Sequence, residues 1–233
     1  MILTLIGMSG AGKSFWAGKL AAYGFTCFPC DALLIARLRT ICGYEATSLV
    51  EVGRWMGLPH EPGFRQREAL YLRCEMDVLR EVIARATLCA DNRIPCVIDT
   101  GGSAIYAGTE LFQHLRRFST VVYLAIPAGI HQQMLATYLA DPLPLIWNGL
   151  FRQEQNEDLH DTFKRCYSLL IGHRERLYET YSDVTLEYDY YRQPALMAES
   201  FIQHIRTAAE HTRTADRLDR GDSYNRGVGS GWW

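Results

Sequence analysis

The stretch Gly7-Met8-Ser9-Gly10-Ala11-Gly12-Lys13-Ser14 decides the fold of this chain. It follows an apolar run over residues 2–6 and precedes a helical segment, the setting in which G-x-x-x-x-G-K-[ST] is a phosphate-binding loop. Its glycines let successive N–H groups curl toward phosphate oxygens, and the following helix aims its positive dipole end at the same place. In that arrangement Lys13 reaches the β- and γ-phosphates, and the Ser14 hydroxyl is a Mg2+ ligand. The nucleotide contact is expected to run through Gly7, Ser9, Gly10, Ala11, Gly12, Lys13, Ser14 and Phe15. The chain has only three lysines, Lys13, Lys19 and Lys164, so one inside the motif carries weight. A purine nucleotide with Mg2+ follows. The acceptor does not, because GTPases, ATPases and small-molecule kinases share the loop.

Outward from the loop, short apolar runs alternate with helical patterns. The runs cover residues 2–6, 25–28, 95–99, 121–125 and 184–187. Continuous apolar strands covered on both faces mark a parallel sheet wrapped by helices. Leu72, Met76, Leu79, Ile83 and Ala86 recur at spacings of three and four, which predicts a long amphipathic helix packed on that sheet. A last helix is expected to open at Pro194, a residue suited to a first helical turn, and to bury Ala198, Phe201, Ile202 and Ile205. The periodicity stops near Thr212. The segment beyond it, rich in Arg, Asp and Gly and ending in Trp232 and Trp233, reads as a flexible tail. The fold class is therefore α/β, three layers with a five-stranded parallel sheet. One domain is expected over residues 1–210, with a tail over 211–233.

Composition narrows the partners. At 233 residues, 48% hydrophobic and 21% charged, the chain matches one globular domain. A formal net charge of −2 supplies no basic field for nucleic acid. No apolar run approaches the roughly 20 residues that span a bilayer, and the opening run lacks a basic leader and a cleavage site. A cytoplasmic protein, monomeric or weakly homo-oligomeric, is expected. Seven cysteines at scattered spacing fit reduced, buried thiols. The Cys27–Cys30 pair is read as packing.

From here the order of motifs resembles shikimate kinase, over residues 2–205. LIGMSGAGKS is similar to that family's phosphate loop. GFTCFPCD, ending in Asp31, falls where the family's second strand ends in acidic residues. GFRQRE, Gly63 to Glu68, matches its GFR-x-x-E segment. VIDTGGS lies where the family carries a triple glycine, VVYLAIP matches its fourth strand, and HRERLYETYSD resembles its R-x-P-L-Y segment. The resemblance implies an ATP-dependent kinase of a small hydroxylated carboxylic acid, with Asp31, Arg65, Gly101, Gly102 and Arg174 at the acceptor. It also implies a mobile substrate-binding region over about 32–62 and a lid over about 141–160.

The residue chemistry fits those roles. Arg65 and Arg174 can grip a carboxylate in planar forks, with Glu68 one turn on to orient Arg65. Asp31 can meet the acceptor hydroxyl as base or orienter, and it can also cap the helix that starts there. Gly101 and Gly102 let backbone approach the substrate closely. Alternatively, Arg65 is a surface residue paired only with Glu68.

Departures from the family pattern are informative. Its D-x-D pair reads Pro29-Cys30-Asp31, so the first carboxylate is missing, and Asp99 at a strand end is the natural substitute for holding Mg2+. The lid's R-P-L-L reads Asp141-Pro142-Leu143-Pro144, so Arg152 either takes over the catalytic-arginine role or is a surface residue. Gln133 or a neighbour stands where the family's adenine-stacking arginine would be, and Ser103 replaces the third glycine. Two rivals follow: a kinase of another small acceptor such as a sugar acid or nucleoside, or a nucleotide-binding regulatory protein with weakened transfer.

Overall fold

The computed structural model describes residues 1–225. The elements run β1 (Ile2–Ile6), α1 (Lys13–Ala22), β2 (Thr26–Pro29), α2 (Cys30–Cys42), α3 (Leu49–Met56), α4 (Phe64–Asp91) and β3 (Cys96–Asp99). They continue through α5 (Thr109–Phe118), β4 (Thr120–Leu124), α6 (His131–Ala140), α7 (Leu159–Tyr181), β5 (Val184–Leu186), α8 (Tyr188–Tyr191) and α9 (Ala198–Asn225). Two short 3-10 turns, Ala104–Ala107 and Ala128–Ile130, complete the set.

The five strands pair in the order β2-β3-β1-β4-β5, and every pairing is parallel. The central strands are buried along almost their whole length, as continuous apolar runs between two helix layers must be. The fold is the three-layer α/β arrangement expected. Register places Asp99 opposite Leu5 on one side and Pro29 on the other. The carboxyl ends of β1, β2 and β3 therefore deliver Gly7, Cys30–Asp31 and Thr100–Gly102 to one edge. The chain leaves β1 toward β2 and leaves the adjacent β4 toward β5, in opposite directions, and ligands bind at such a reversal.

Several boundaries differ from expectation. Pro194 sits in a turn, and the last helix begins at Ala198. The backbone stays helical to Asn225, past Thr212 where apolar periodicity stops; Trp232 and Trp233 lie outside the described residues. The region 32–62 holds a formed helix, α3, whose Ser48 and Glu51 make a reciprocal capping box. Cys27 and Cys30 are free thiols, and burial pushes the Cys30 thiol up. None of the described helices is long and apolar enough to cross a membrane.

Candidate active site

The phosphate loop turns on three left-handed or extended glycines, Gly7, Gly10 and Gly12, at φ 143°, 82° and 100°. Gly7 has a second reason to lack a side chain: a Cβ there would lie 2.8 Å from Leu124 O. Lys13 opens α1 and is 7% exposed. Its Nζ donates to Gly7 O and Met8 O, at 2.9 Å each, so the ammonium lies against the loop's own carbonyls. Burial lowers the Lys13 pKa, and the carboxylates of Asp31, Asp99 and Glu75 oppose that effect. Phe15 is exposed, with Lys19 Nζ 4.9 Å from its ring centre.

Asp99, the end of β3, is 6% exposed, and its Oδ1 has no hydrogen-bond partner. Burial raises its pKa, while the Ser14 hydroxyl and Lys13 draw it back down. A buried carboxylate oxygen without a partner, beside a hydroxyl and at the edge of a phosphate loop, fits an oxygen-ligated divalent cation. Ser14 and Asp99 are the residues that would hold Mg2+.

Asp31 lies in the first turn of α2 without capping it, because Pro29 takes the cap position and no side chain bonds there. Burial raises the Asp31 pKa, Lys13 lowers it and Asp99 adds to the rise. Behind Asp31 stands a residue that the apolar pattern concealed, Glu75 of α4. It is 3% exposed, and neither of its oxygens has a partner with hydrogen-bond geometry. Burial lifts its carboxyl to about 7, with the Ser103 hydroxyl pulling downward and Asp31 pushing upward. A Cβ built on Gly101 would overlap Glu75 Oε1 and come within 3.1 Å of Asp31 Oδ1. A side chain at Gly101 would therefore have to displace the Glu75 carboxyl, a group of the protein and not of a substrate.

Arg174 of α7 is 3% exposed and, with Asp31 and Gly102, lines a cavity of about 370 Å3. Its Nη2 donates to Ile146 O at 2.8 Å and its Nη1 to Gly102 O at 3.5 Å, while Nε has no partner. Tyr178 also donates to Gly102 O, at 2.6 Å.

The expected pairing of Arg65 with Arg174 is not formed. Arg65 is exposed in the first turn of α4 and does not line the cavity. The residue of α4 that does line the cavity is Tyr71, six positions after Arg65 and about 9 Å further along the axis. Glu68 does not pair with Arg65 either. Its Oε1 accepts from the backbone N–H groups of Trp147 and Asn148, at 2.5 and 3.2 Å.

The lid segment between α6 and α7 carries no regular element. It is anchored by Trp147, 1% exposed, whose indole N–H donates to Tyr138 Oη at 3.2 Å and packs on Phe163 and Phe151. Asp141 pairs with Arg54 of α3 at 3.2 Å, and a Cβ on Gly53 would overlap Pro142 O. The lid thus rests on α3. Arg152 is exposed and outside the cavity, and its carbonyl accepts from Arg165. Another arginine stands at the phosphate loop: Arg192, just after α8, has Nη1 3.7 Å from where a Gly12 Cβ would be. Its guanidinium lies 5.2 Å from the Tyr188 ring centre, and both residues line the cavity together with Gln133. The only sequence signal for it was a polar-aromatic cluster directly after β5.

No protein-family model matches the chain, and no curated protein matches it. Solved structures do. Shikimate kinase from Aquifex aeolicus vf5 aligns at TM-score 0.51 and 17% identity, covering 90% of this chain and 96% of that one. Shikimate kinases from Acinetobacter baumannii, in complex with shikimate, and from Bacteroides thetaiotaomicron align at 0.46 and 0.49, with 21% and 15% identity. They cover 95% and 94% of this chain, and 93% and 98% of their own. The architecture is that of the P-loop kinases. Within that class it is a shikimate kinase-like fold, with a five-stranded parallel sheet.

Proposed function

We propose that the chain is an ATP-dependent kinase that moves the γ-phosphoryl group to a hydroxyl of a small molecule. The observation that carries this reading is the position of Lys13, whose Nζ lies on the loop carbonyls with Asp31, Asp99 and Glu75 as its charged neighbours. A phosphate site, two residues suited to a metal and a base thus stand together at the strand ends, with Lys13 and Asp99 buried, Asp31 half-buried and Ser14 exposed. Bound nucleotide and Mg2+ supply the transferable phosphoryl group and offset its charge.

The protein's own residues do the rest. Lys13 turns from Gly7 O and Met8 O to the β- and γ-phosphate oxygens. Ser14 and Asp99 would hold the metal. Asp31 accepts the proton as the acceptor oxygen bonds to phosphorus and the bond to ADP breaks. Arg192, beside Gly12, supplies the second cation in place of Arg152. The lid, seated on α3, keeps water from the phosphoryl group and so suppresses ATP hydrolysis.

A hydroxylated carboxylic acid such as shikimate is the acceptor that the resemblance implies, and Arg174 is the cation that supports it. Without Arg65 the two-arginine clamp is incomplete, which favours another small acceptor. Incubation with γ-labelled ATP, Mg2+ and a panel of hydroxy acids, sugars and amino alcohols tests the reading. Label appearing in an acceptor is the expected outcome. ATP bound without transfer to any acceptor would instead support a regulatory nucleotide-binding protein.

A further inference from the structure

Three consecutive lid residues, Leu143, Pro144 and Leu145, line the cavity, and the chain is held at both ends of that stretch. On one side Ile146 O accepts from Arg174, and the N–H groups of Trp147 and Asn148 donate to Glu68. On the other side Pro142 lies against α3. A Cβ on Gly53 would overlap Pro142 O, and it would stand 2.7 Å from Pro142 C and 2.9 Å from Leu143 Cα. All three are backbone atoms, which do not swing aside as the end of a flexible side chain does.

Gly53 is buried inside α3, four residues after Leu49, so the two share one face of the helix. Leu49 lines the cavity, and Gly53 continues the same face under the lid. Glycine is disfavoured in a helix interior, so its presence there calls for a reason. Conformation does not supply one, because Gly53 is not among the glycines with positive φ. Close approach of the lid backbone does.

We propose that Gly53 is a positioning residue for phosphotransfer: its missing side chain fixes how closely residues 143–145 sit over the cavity. A methyl group at position 53 wedges Pro142 off α3. Ile146 to Asn148 stay held by α7 and α4, so the three residues between the two anchors take up the displacement. The wall between Leu49 and Leu143 then opens and admits water to the phosphoryl group. The catalytic consequence rests on the phosphotransfer reading above, whereas the seating of the lid on Gly53 stands without it.

Gly53→Ala tests it, with Gly18→Ala as the control, because Gly18 is exposed in α1 and a Cβ there meets nothing within 4 Å. Three readouts are taken on the full chain: attenuation of the Leu143 and Leu145 methyl signals by a soluble gadolinium chelate, calorimetric affinity for ATP with Mg2+, and the rate of ATP hydrolysis. Gly53→Ala is expected to raise the attenuation at least about twofold and hydrolysis about tenfold, with ATP affinity unchanged. Gly18→Ala is expected to move none of the three. Arg54→Glu breaks the exposed pair with Asp141 beside the seat and is expected to raise the same two readouts by less, which keeps the test open if Gly53→Ala does not fold. Unchanged attenuation overturns the inference whatever the nucleotide does. Raised attenuation with unchanged hydrolysis overturns the positioning role, and so does an equal response from Gly18→Ala. An unmodified chain that binds no ATP strikes the phosphotransfer reading instead, and the methyl signals still decide where the lid is seated.

Discussion

Glu68 and Arg174, on different helices, hold three consecutive residues of the lid. Arg174 donates to the carbonyl of Ile146, and Glu68 accepts from the N–H groups of Trp147 and Asn148. Both residues belong to motifs that resemblance places at the acceptor, and here both fasten the segment that directly follows Leu143, Pro144 and Leu145, which line the cavity. The position of that segment is thereby tied to Arg174, a residue of the cavity wall.

Removing that carboxylate should free the lid. Hydrogen bonds to a charged group contribute roughly 1.5–3 kcal/mol each, so Glu68→Ala is expected to raise amide hydrogen exchange at Trp147 and Asn148 by ten-fold or more. Arg65→Ala, at an exposed site outside the cavity, should leave both amides and acceptor binding unchanged. Unaltered exchange in the Glu68 variant would show that aromatic packing of Trp147 alone seats the lid.

Glu75 should make stability depend on pH. Burial raises its carboxyl from about 4.5 to about 7, so the folded chain holds that proton more tightly than the unfolded chain does. The stabilisation is complete below about pH 4.5 and is lost as the pH rises through 7. Glu75→Gln removes the titration, so the variant should gain on the unmodified protein between pH 5 and pH 8. The gain is on the order of 3 kcal/mol at most. Denaturant unfolding at the two pH values measures it, and parallel behaviour of the two proteins would contradict the assignment.

Asp99 should govern the metal. Its orphaned oxygen and its neighbour Ser14 predict that Asp99→Asn raises the Mg2+ concentration needed for nucleotide binding, by roughly 10–100-fold. A Mg2+ titration of nucleotide affinity is the measurement. Coincident curves would reduce Asp99 to a strand terminus.

Much of this was legible in the sequence, for physical reasons that also mark where legibility ended. The strands showed as continuous apolar runs because both faces of the sheet are covered, and the phosphate loop showed because its backbone demands glycines at fixed spacing. Asp31, Gly102 and Arg174 followed from motif order, and all three line the cavity. Arg65 lies exposed and outside the cavity, because a short motif does not report which side of the helix its residues present; the cavity is reached by Tyr71, further along α4. Glu75 was hidden by the choice of stripe. The buried face runs through Tyr71, Cys74, Val78 and Val82, whereas Leu72 and Met76 are only half-buried. A carboxylate on that face, one turn after Tyr71, was the available signal. Arg192 lay in a polar-aromatic cluster after β5 with no periodicity to interpret, and only the close approach of that segment to Gly12 gives it meaning.

The central claim is that the loop from Gly7 to Ser14 binds the phosphates of ATP through Lys13. Calorimetric titration of ATP with Mg2+ into the unmodified chain and into Lys13→Ala tests it most directly, with circular dichroism confirming that both are folded. Loss of charge-assisted bonds worth roughly 1.5–3 kcal/mol each should weaken the variant's affinity ten- to a hundred-fold or abolish binding. Equal affinity in two folded proteins would contradict the account.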